Sequence, residues 1–462
     1  MTAGRPWSRG AGPWLLGGAV VLALVLMFRT AIEGDGVGYV AYLHSVWVDH
    51  DLDFADEYSA ALAAHVPIDH RLIGVRTSTG LVANYFPVGA AVLASPAYLV
   101  ALLFDHGGEP QYGMPFAAAF TLTSLLAGLA ALALCRRLTA SPVAVAAVAV
   151  ASPYTFYLLY APAYSHTFSA LAVSAFVLLW WRTRERRTAA AWAALGLLGG
   201  LMALIRFQDG LLLLILLLDV RWARWRVLSA VPFAALVFTP QLVVDAVVFG
   251  TPWPQRPAGQ ALTVFPGHAL QVLFASWNGL FVWHPLTLLA VVGMFLVRDR
   301  SLRVACLFAF VLETVVDGAA PDWWGGLAFG GRRFIDLTPF FVVGFAALAA
   351  RVDRRVAWGV VAAGAVWNLL LAANLIYVIR YEHDPGYVGL LAGQVEAVRR
   401  LPNLFVKGDA LRELALAVLG RPSSPPMGVL LIAAQTAAVA IAMGVARWRR
   451  GGLDRAGISS TP

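Results

Sequence analysis

Apolar residues run through this chain in long blocks separated by short polar stretches. A helix needs roughly 20 apolar residues to cross a bilayer. The blocks at 13–31, 113–135, 142–159, 164–181, 188–205, 227–249, 279–297, 302–316, 334–350, 356–379 and 426–446 are read as spans on that basis. A shorter run, 207–219, pairs with 188–205 as a hairpin turning at Arg206. The run 87–104 either crosses once or dips in and returns. Two long polar segments, 32–112 and 380–425, carry helical spacing of their own. Residues 37–48 place Val37, Val40, Ala41, His44 and Val48 on one face, and 388–400 and 409–419 are similar. These predict helices lying along the membrane surface. No internal repeat stands out, and 451–462 reads as a tail. The fold class is therefore an all-α polytopic membrane protein, a bundle of about 12–13 transmembrane helices with surface helices in the first outer loop.

Composition sharpens this picture. Of the 462 residues, 60% are hydrophobic and 13% charged, whereas a soluble domain carries about a quarter charged. Cys135 and Cys306 both fall in apolar stretches and make neither a disulfide framework nor a metal cluster. The first apolar run follows Arg5 and Arg9, with no small-residue cleavage site after it, and reads as a retained helix. The net charge of +8 comes from short basic bursts between apolar blocks, at 136–137, 182–187, 221–226, 298–303, 351–355 and 447–450. Lys and Arg accumulate in cytoplasmic loops, so the bursts mark the inner side of a cytoplasmic membrane and put both termini there. Keeping every burst inside requires 87–104 not to cross. The basic excess is thus a topology signal, and nucleic acid is excluded as a partner.

The outer side holds the candidate chemistry. Glu33-Gly34-Asp35-Gly36 follows the first span. Asp35 there is a helix-end cap or a general base at the membrane boundary, its glycines letting the backbone turn and a ligand come close. The acidic run from Asp49 through Asp51, Asp53 and Asp56 to Glu57 resembles the start of a calcium loop. Phe54 then replaces the needed glycine and Ala60 the bidentate glutamate, so no metal is expected and Glu57 is kept as a second carboxylate. Residues 84–89, Asn-Tyr-Phe-Pro-Val-Gly, suit a bent path into the membrane. His166 lies beside Tyr160 and Tyr164, either as a helix-start residue or as part of the site. Arg206 sits alone between two apolar runs and needs a partner, of which Asp209 is the nearest in sequence. Arg332 and Arg333 end a glycine-rich loop on the outer side, against the positive-inside pattern. They suit either lipid headgroups or a bidentate grip on a phosphate.

Taken together, these residues resemble the GT-C superfamily of membrane glycosyltransferases, in the branch of protein mannosyltransferases and aminoarabinose lipid A transferases. Asp35, followed by Tyr39 and Tyr42, is similar to the first-loop aspartate of that family. Residues 84–89 are similar to its proline-containing second segment, and Gly331-Arg332-Arg333 to its phosphate-holding basic residues. The resemblance implies a single transmembrane catalytic domain over 1–450, with outer loops at 32–112 and 380–425 and a cytoplasmic tail at 451–462. It implies a polyprenyl-phosphate sugar as donor, a lipid, glycan or protein as acceptor, membrane lipids around it, and no cofactor. Asp35, Glu57 and His166 would serve catalysis, and Arg332, Arg333 and Arg206 would hold the lipid phosphate. Two positions depart from the family pattern: Gly36 follows Asp35 where an Asp-Glu pair is frequent, and His166 stands in the second outer loop where an acidic residue is frequent. The alternative readings are a lipid-linked polysaccharide polymerase or ligase leaning on 380–425, a lipid or sugar flippase, which should show paired repeats, and a non-catalytic assembly protein.

Overall fold

The computed structural model describes residues 28–68, 74–105, 111–219, 224–326, 328–375 and 383–406. The chain divides into two units, residues 1–29 with 402–462 and residues 30–401, and the fold described below is that of the second. Most of the expected span at 13–31, the span at 426–446, the helical spacing at 409–419 and the tail at 451–462 lie outside the described residues.

Ordered structure among the described residues is helical, apart from one β-bridge between Arg76 and Val82. Helix α1 (Asp35–His44) runs into a π-helical turn, Ser45–Asp49, and α2 (Ala55–Ala63) follows. Then come α3 (Gly89–Leu103), α4 (Met114–Thr139), α5 (Pro142–Val150), α6 (His166–Thr183) and α7 (Ala189–Ile205). A 3-10 helix, Phe207–Asp219, leads to α8 (Ala230–Phe249), α9 (Ala269–Phe274), α10 (Leu280–Trp283), α11 (Pro285–Phe295) and α12 (Arg300–Ala319). A 3-10 turn, Arg332–Leu337, opens α13 (Thr338–Ala349), followed by α14 (Arg354–Asn374) and α15 (Gly386–Val406).

Helix starts follow local chemistry. Ser141, Thr188 and Asp299 each accept a backbone N–H of the first turn with their side chains, which satisfies one of the orphan donors there. Proline occupies the first turn of α4, α5, α11 and α13, where its missing N–H costs nothing. Helices α4 and α14 and the stretch Trp225–Phe249 are long and apolar enough to cross a membrane alone, while α3, α7 and α11 are apolar but shorter. The 15 residues of α3 rise about 22 Å, less than the roughly 30 Å hydrocarbon core. The expected spans at 142–159 and 279–297 are interrupted, the first after α5 and the second at His284. Pro153 and Pro285 sit at these breaks, and a proline cannot continue the preceding helix.

Close packing rests on small residues. A Cβ on Gly196 would lie 2.2 Å from the Ala230 carbonyl oxygen, and one on Gly200 would lie 2.4 Å from that of Ala234, so α7 meets α8 backbone to backbone. Gly293 and Gly344 do the same for α11 and α13. Such contacts hold helices together in lipid, where apolar burial gives little advantage. Helix α1 is buried nearly all round, from Gly36 to Leu43, rather than along one face. Helix α2 buries one side, through Glu57, Tyr58 and Ala61.

Among the described residues, the bursts at 136–137, 182–187, 298–303 and 351–355 lie at helix ends that contact one another or their neighbours. Arg182 donates to the Arg137 carbonyl (3.3 Å), Arg184 pairs with Asp299 (2.8 Å), and Arg351 donates to the Leu296 carbonyl (2.8 Å). From these helix ends α7 runs to Arg206 and α12 to Asp317, while α6 runs to them from His166.

Candidate active site

The candidate residues meet around a cavity of about 1300 Å³. Its lining includes Asp35, Tyr39, Tyr164, Arg206, Asp317, Asp322, Arg332 and Arg333. Asp35 is the first residue of α1, and Gly34 takes the cap position without any side-chain capping bond. The Asp35 carboxylate lines the cavity, where Oδ2 lies 3.3 Å from Arg332 Nη1. The flanking glycines permit close packing, and Gly34 also lines the cavity. Gly34 adopts φ +57°, and a Cβ there would fall 2.3 Å from the Tyr164 hydroxyl. One on Gly36 would fall 2.6 Å from Ala163 Cβ. The chain on either side of Asp35 is thus pressed onto the loop before α6. Tyr39 donates to Ser165 (2.9 Å) and Asn84 to the Gly38 carbonyl (2.8 Å), so residues 84–89 dock on α1 as well.

Arg332 and Arg333 are presented by a loop with a rigid backing. Asn278 donates to the Trp324 carbonyl (2.9 Å) and Gly331 N–H to the Asn278 carbonyl (2.9 Å), while Tyr157 accepts from Phe329 N–H (2.9 Å). Gly331, at φ +62°, lies where a Cβ would strike Leu280, and a Cβ on Gly330 would strike Trp283. The glycines let this loop lie flat on α10. Arg332 lies over the Tyr164 ring, 5.0 Å from its centroid. Burial pushes its pKa down, but the Asp35 carboxylate together with Tyr157, Tyr164 and Tyr39 outweighs this and holds the guanidinium charged. Arg333 bonds Asp322 (2.8 Å) and lies 3.6 Å from Asp317. Burial opposes the charged form of Asp322, yet Arg333 keeps its pKa below the usual carboxylate range.

Arg206 ends α7 in an extended conformation, and its side chain is held from behind. Its Nη1 lies 2.7 Å from His166 Nδ1 and its Nε lies 3.7 Å from Asp336 Oδ2. A guanidinium only donates, so His166 must accept through Nδ1 and carry its proton on Nε2. His166 is 2% exposed and does not line the cavity, which makes it a support for Arg206. Asp209, the neighbour in sequence, accepts instead from Ser169. Carboxylate oxygens of Asp209, Glu313 and Asp336 gather within 4.8 Å of one another behind Arg206.

Asp35, Arg206, Arg332 and Arg333 are thus brought together, with His166 one contact behind them. Glu57 is not: it lies on α2 next to Asp49 and Asp56 and does not line the cavity. Sequence reasoning passed over Arg256, which lines the cavity, and the acids Glu313, Asp317 and Asp336. Arg256, like Arg332, stands apart from the basic bursts, which was the available signal for it. Ionisable residues within or beside apolar runs were the available signal for the three acids.

No protein-family model and no curated protein matches the chain. Among solved structures, it is similar to the crystal structure of ArnT from Cupriavidus metallidurans bound to undecaprenyl phosphate. The match has a TM-score of 0.55 at 16% identity, over 94% of this chain and 77% of that one. This chain accordingly has a GT-C-like fold, that of a polytopic membrane protein, as the resemblance drawn from its sequence implied.

Proposed function

We propose that this protein is a membrane glycosyltransferase that moves a sugar from a polyprenyl-phosphate donor to an acceptor hydroxyl at the outer face of the cytoplasmic membrane. The observation that carries the reading is one cavity in which a carboxylate, Asp35, faces a guanidinium, Arg332, with Arg206 and Arg333 beside them. The similar ArnT structure, bound to undecaprenyl phosphate, supports a lipid phosphate as the group the arginines hold. The cavity exceeds the 300–1,000 Å³ typical of sites for one small ligand, which suits two substrates meeting in it.

The chemistry follows from the charges. Asp35 takes the proton of the acceptor hydroxyl as its oxygen forms the new bond to the anomeric carbon. The bond from that carbon to the phosphate oxygen breaks, and its electron pair leaves with the polyprenyl phosphate. The phosphate gains a negative charge in this step, and fixed guanidiniums at its position stabilise the transition state more than the ground state. Donor phosphate arriving at Arg332 also competes with Asp35 for that cation, releasing the carboxylate to act as base. Glu57 has no part in this scheme.

Purified protein incubated with a panel of labelled polyprenyl-phosphate sugars tests the reading. Transfer of label to an acceptor, with release of polyprenyl phosphate, is the expected result. Asp35→Asn should lower turnover about 10²–10⁴-fold while retaining donor affinity, and Arg332→Ala should weaken both. A protein that binds none of the panel lacks the proposed donor, and one that binds and returns the donor intact is a transporter.

A further inference from the structure

Glu57 belongs to a site of its own. It is 0% exposed, and among the described residues neither of its carboxylate oxygens has a hydrogen-bond partner. A buried carboxylate without partners carries a large desolvation cost unless something neutralises it. Two exposed carboxylates converge on it: Asp56, its neighbour on α2, and Asp49, at the end of the π-helical turn. One oxygen from each of the three lies within 4.8 Å of the others. Among the described residues no Lys or Arg pairs with any of them. His44 is close, with Nε2 3.6 Å from Asp49 Oδ2 and Nδ1 3.1 Å from the Tyr98 hydroxyl.

The other acids of the run are already engaged. Asp51 Oδ1 accepts from Ser45 Oγ (2.9 Å) and Asp53 N–H (3.2 Å), and Asp53 Oδ1 accepts from Val82 N–H (2.9 Å). Phe54, which breaks the linear calcium-loop pattern, is a core residue packed edge-on against Tyr42 at 4.9 Å. The run is therefore split. Asp51 and Asp53 shape the loop, and Asp49, Asp56 and Glu57 are left facing one another from two segments. Three carboxylates that each turn an oxygen toward the others from two segments offer the hard-oxygen ligands that calcium takes. The exposed side leaves room for the waters such an ion keeps.

We infer that Asp49, Asp56 and Glu57 bind a divalent cation with hard-oxygen preference, calcium before magnesium, and that this revises the expectation of no metal. The cation ties the turn after α1 to α2 and so steadies the helix that begins at Asp35. It lies outside the cavity and takes no part in the transfer step.

The experiment is thermal unfolding of the full chain in detergent, in EDTA and then in millimolar CaCl2, MgCl2 or MnCl2, with equilibrium dialysis against radiolabelled calcium. Calcium should raise the unfolding midpoint by roughly 2–5 °C and bind at one ion per chain. Glu57→Gln should remove both effects, and so should Asp56→Asn, an exposed position whose change leaves the core intact. Asp35→Asn should keep both, which separates this site from the proposed transferase cavity. Absence of any rise with all three metals in the wild type overturns the site, and so does an unchanged calcium response in the Glu57 and Asp56 variants.

Discussion

At Arg206 one guanidinium is shared between a histidine ring behind it and the cavity in front. His166 accepts from Nη1, Asp336 lies on the Nε side, and Gln208, whose amide oxygen accepts from Nε and Nη2, lines the cavity with it. This arrangement predicts that His166 acts through Arg206 and not on substrate. His166→Ala should weaken donor binding, and His166→Gln, whose amide oxygen can accept the same bond, should restore most of it. In a chain already carrying Arg206→Ala, the His166 substitution should add almost nothing, because residues of one network are non-additive. Donor affinities of the two single variants and the double variant form the measurement, and full additivity would separate the two residues. The sequence marked both positions as chemically conspicuous without joining them. Arg206 lay at a break between apolar runs and His166 at a helix start, and the nearest partner in sequence, Asp209, was the natural choice. In the fold Asp209 accepts from Ser169 and stands beside Asp336 behind Arg206, close enough to act on its charge without a direct ion pair.

At the level of elements, backbone contact between helices is set by single glycines, and two of them predict opposite outcomes. A Cβ on Gly344 would lie 2.1 Å from the Ala290 carbonyl oxygen and 2.9 Å from Met294. Gly344→Ala must therefore push α13 away from α11, at about 1–3 kcal/mol for overpacking. Gly359, inside α14, has nothing within 4 Å of its Cβ position. Gly359→Ala should be neutral or stabilising by up to about 1 kcal/mol, from the higher helix propensity of alanine. Thermal unfolding of both variants in detergent checks the pair, and a Gly344→Ala midpoint equal to the wild type would show that this interface is loose. Helix existence and type were readable along the chain because apolar length and capping residues are local. Breaks were less readable: 142–159 and 279–297 looked like uninterrupted spans, although Pro153 and Pro285 stood within them. The all-round burial of α1 was not readable either. Its spacing suggested one apolar face, but the opposite side carries glycines and tyrosines that other segments cover.

For the molecule as a whole, the contacts among the basic bursts at 136–137, 182–187, 298–303 and 351–355 predict that they share one side of the membrane. Charge asymmetry predicts that this side is cytoplasmic. A cysteine placed at the exposed position 185 should escape a membrane-impermeant thiol reagent in intact cells and react once the membrane is opened. The native Cys135 and Cys306 are buried and give little background. Labelling of Glu185→Cys in intact cells would invert the topology and move the cavity to the inner face. What the sequence determines by itself is the membrane class, the helical composition, the expected sidedness, and the standing of Asp35, Arg206, Arg332 and Arg333 as candidates. Each of these follows from properties a segment carries alone: apolar length, local charge, and an ionisable group where lipid makes it costly. Only the tertiary structure decides which of those groups meet. Asp35 and Arg332 are far apart in the chain, and their 3.3 Å contact depends on α1 being pressed onto the loop before α6 and on the glycine loop lying flat on α10. Glu57, close to Asp35 in sequence, is turned into a separate acidic pocket by the same packing, because helix α2 buries the side that carries it.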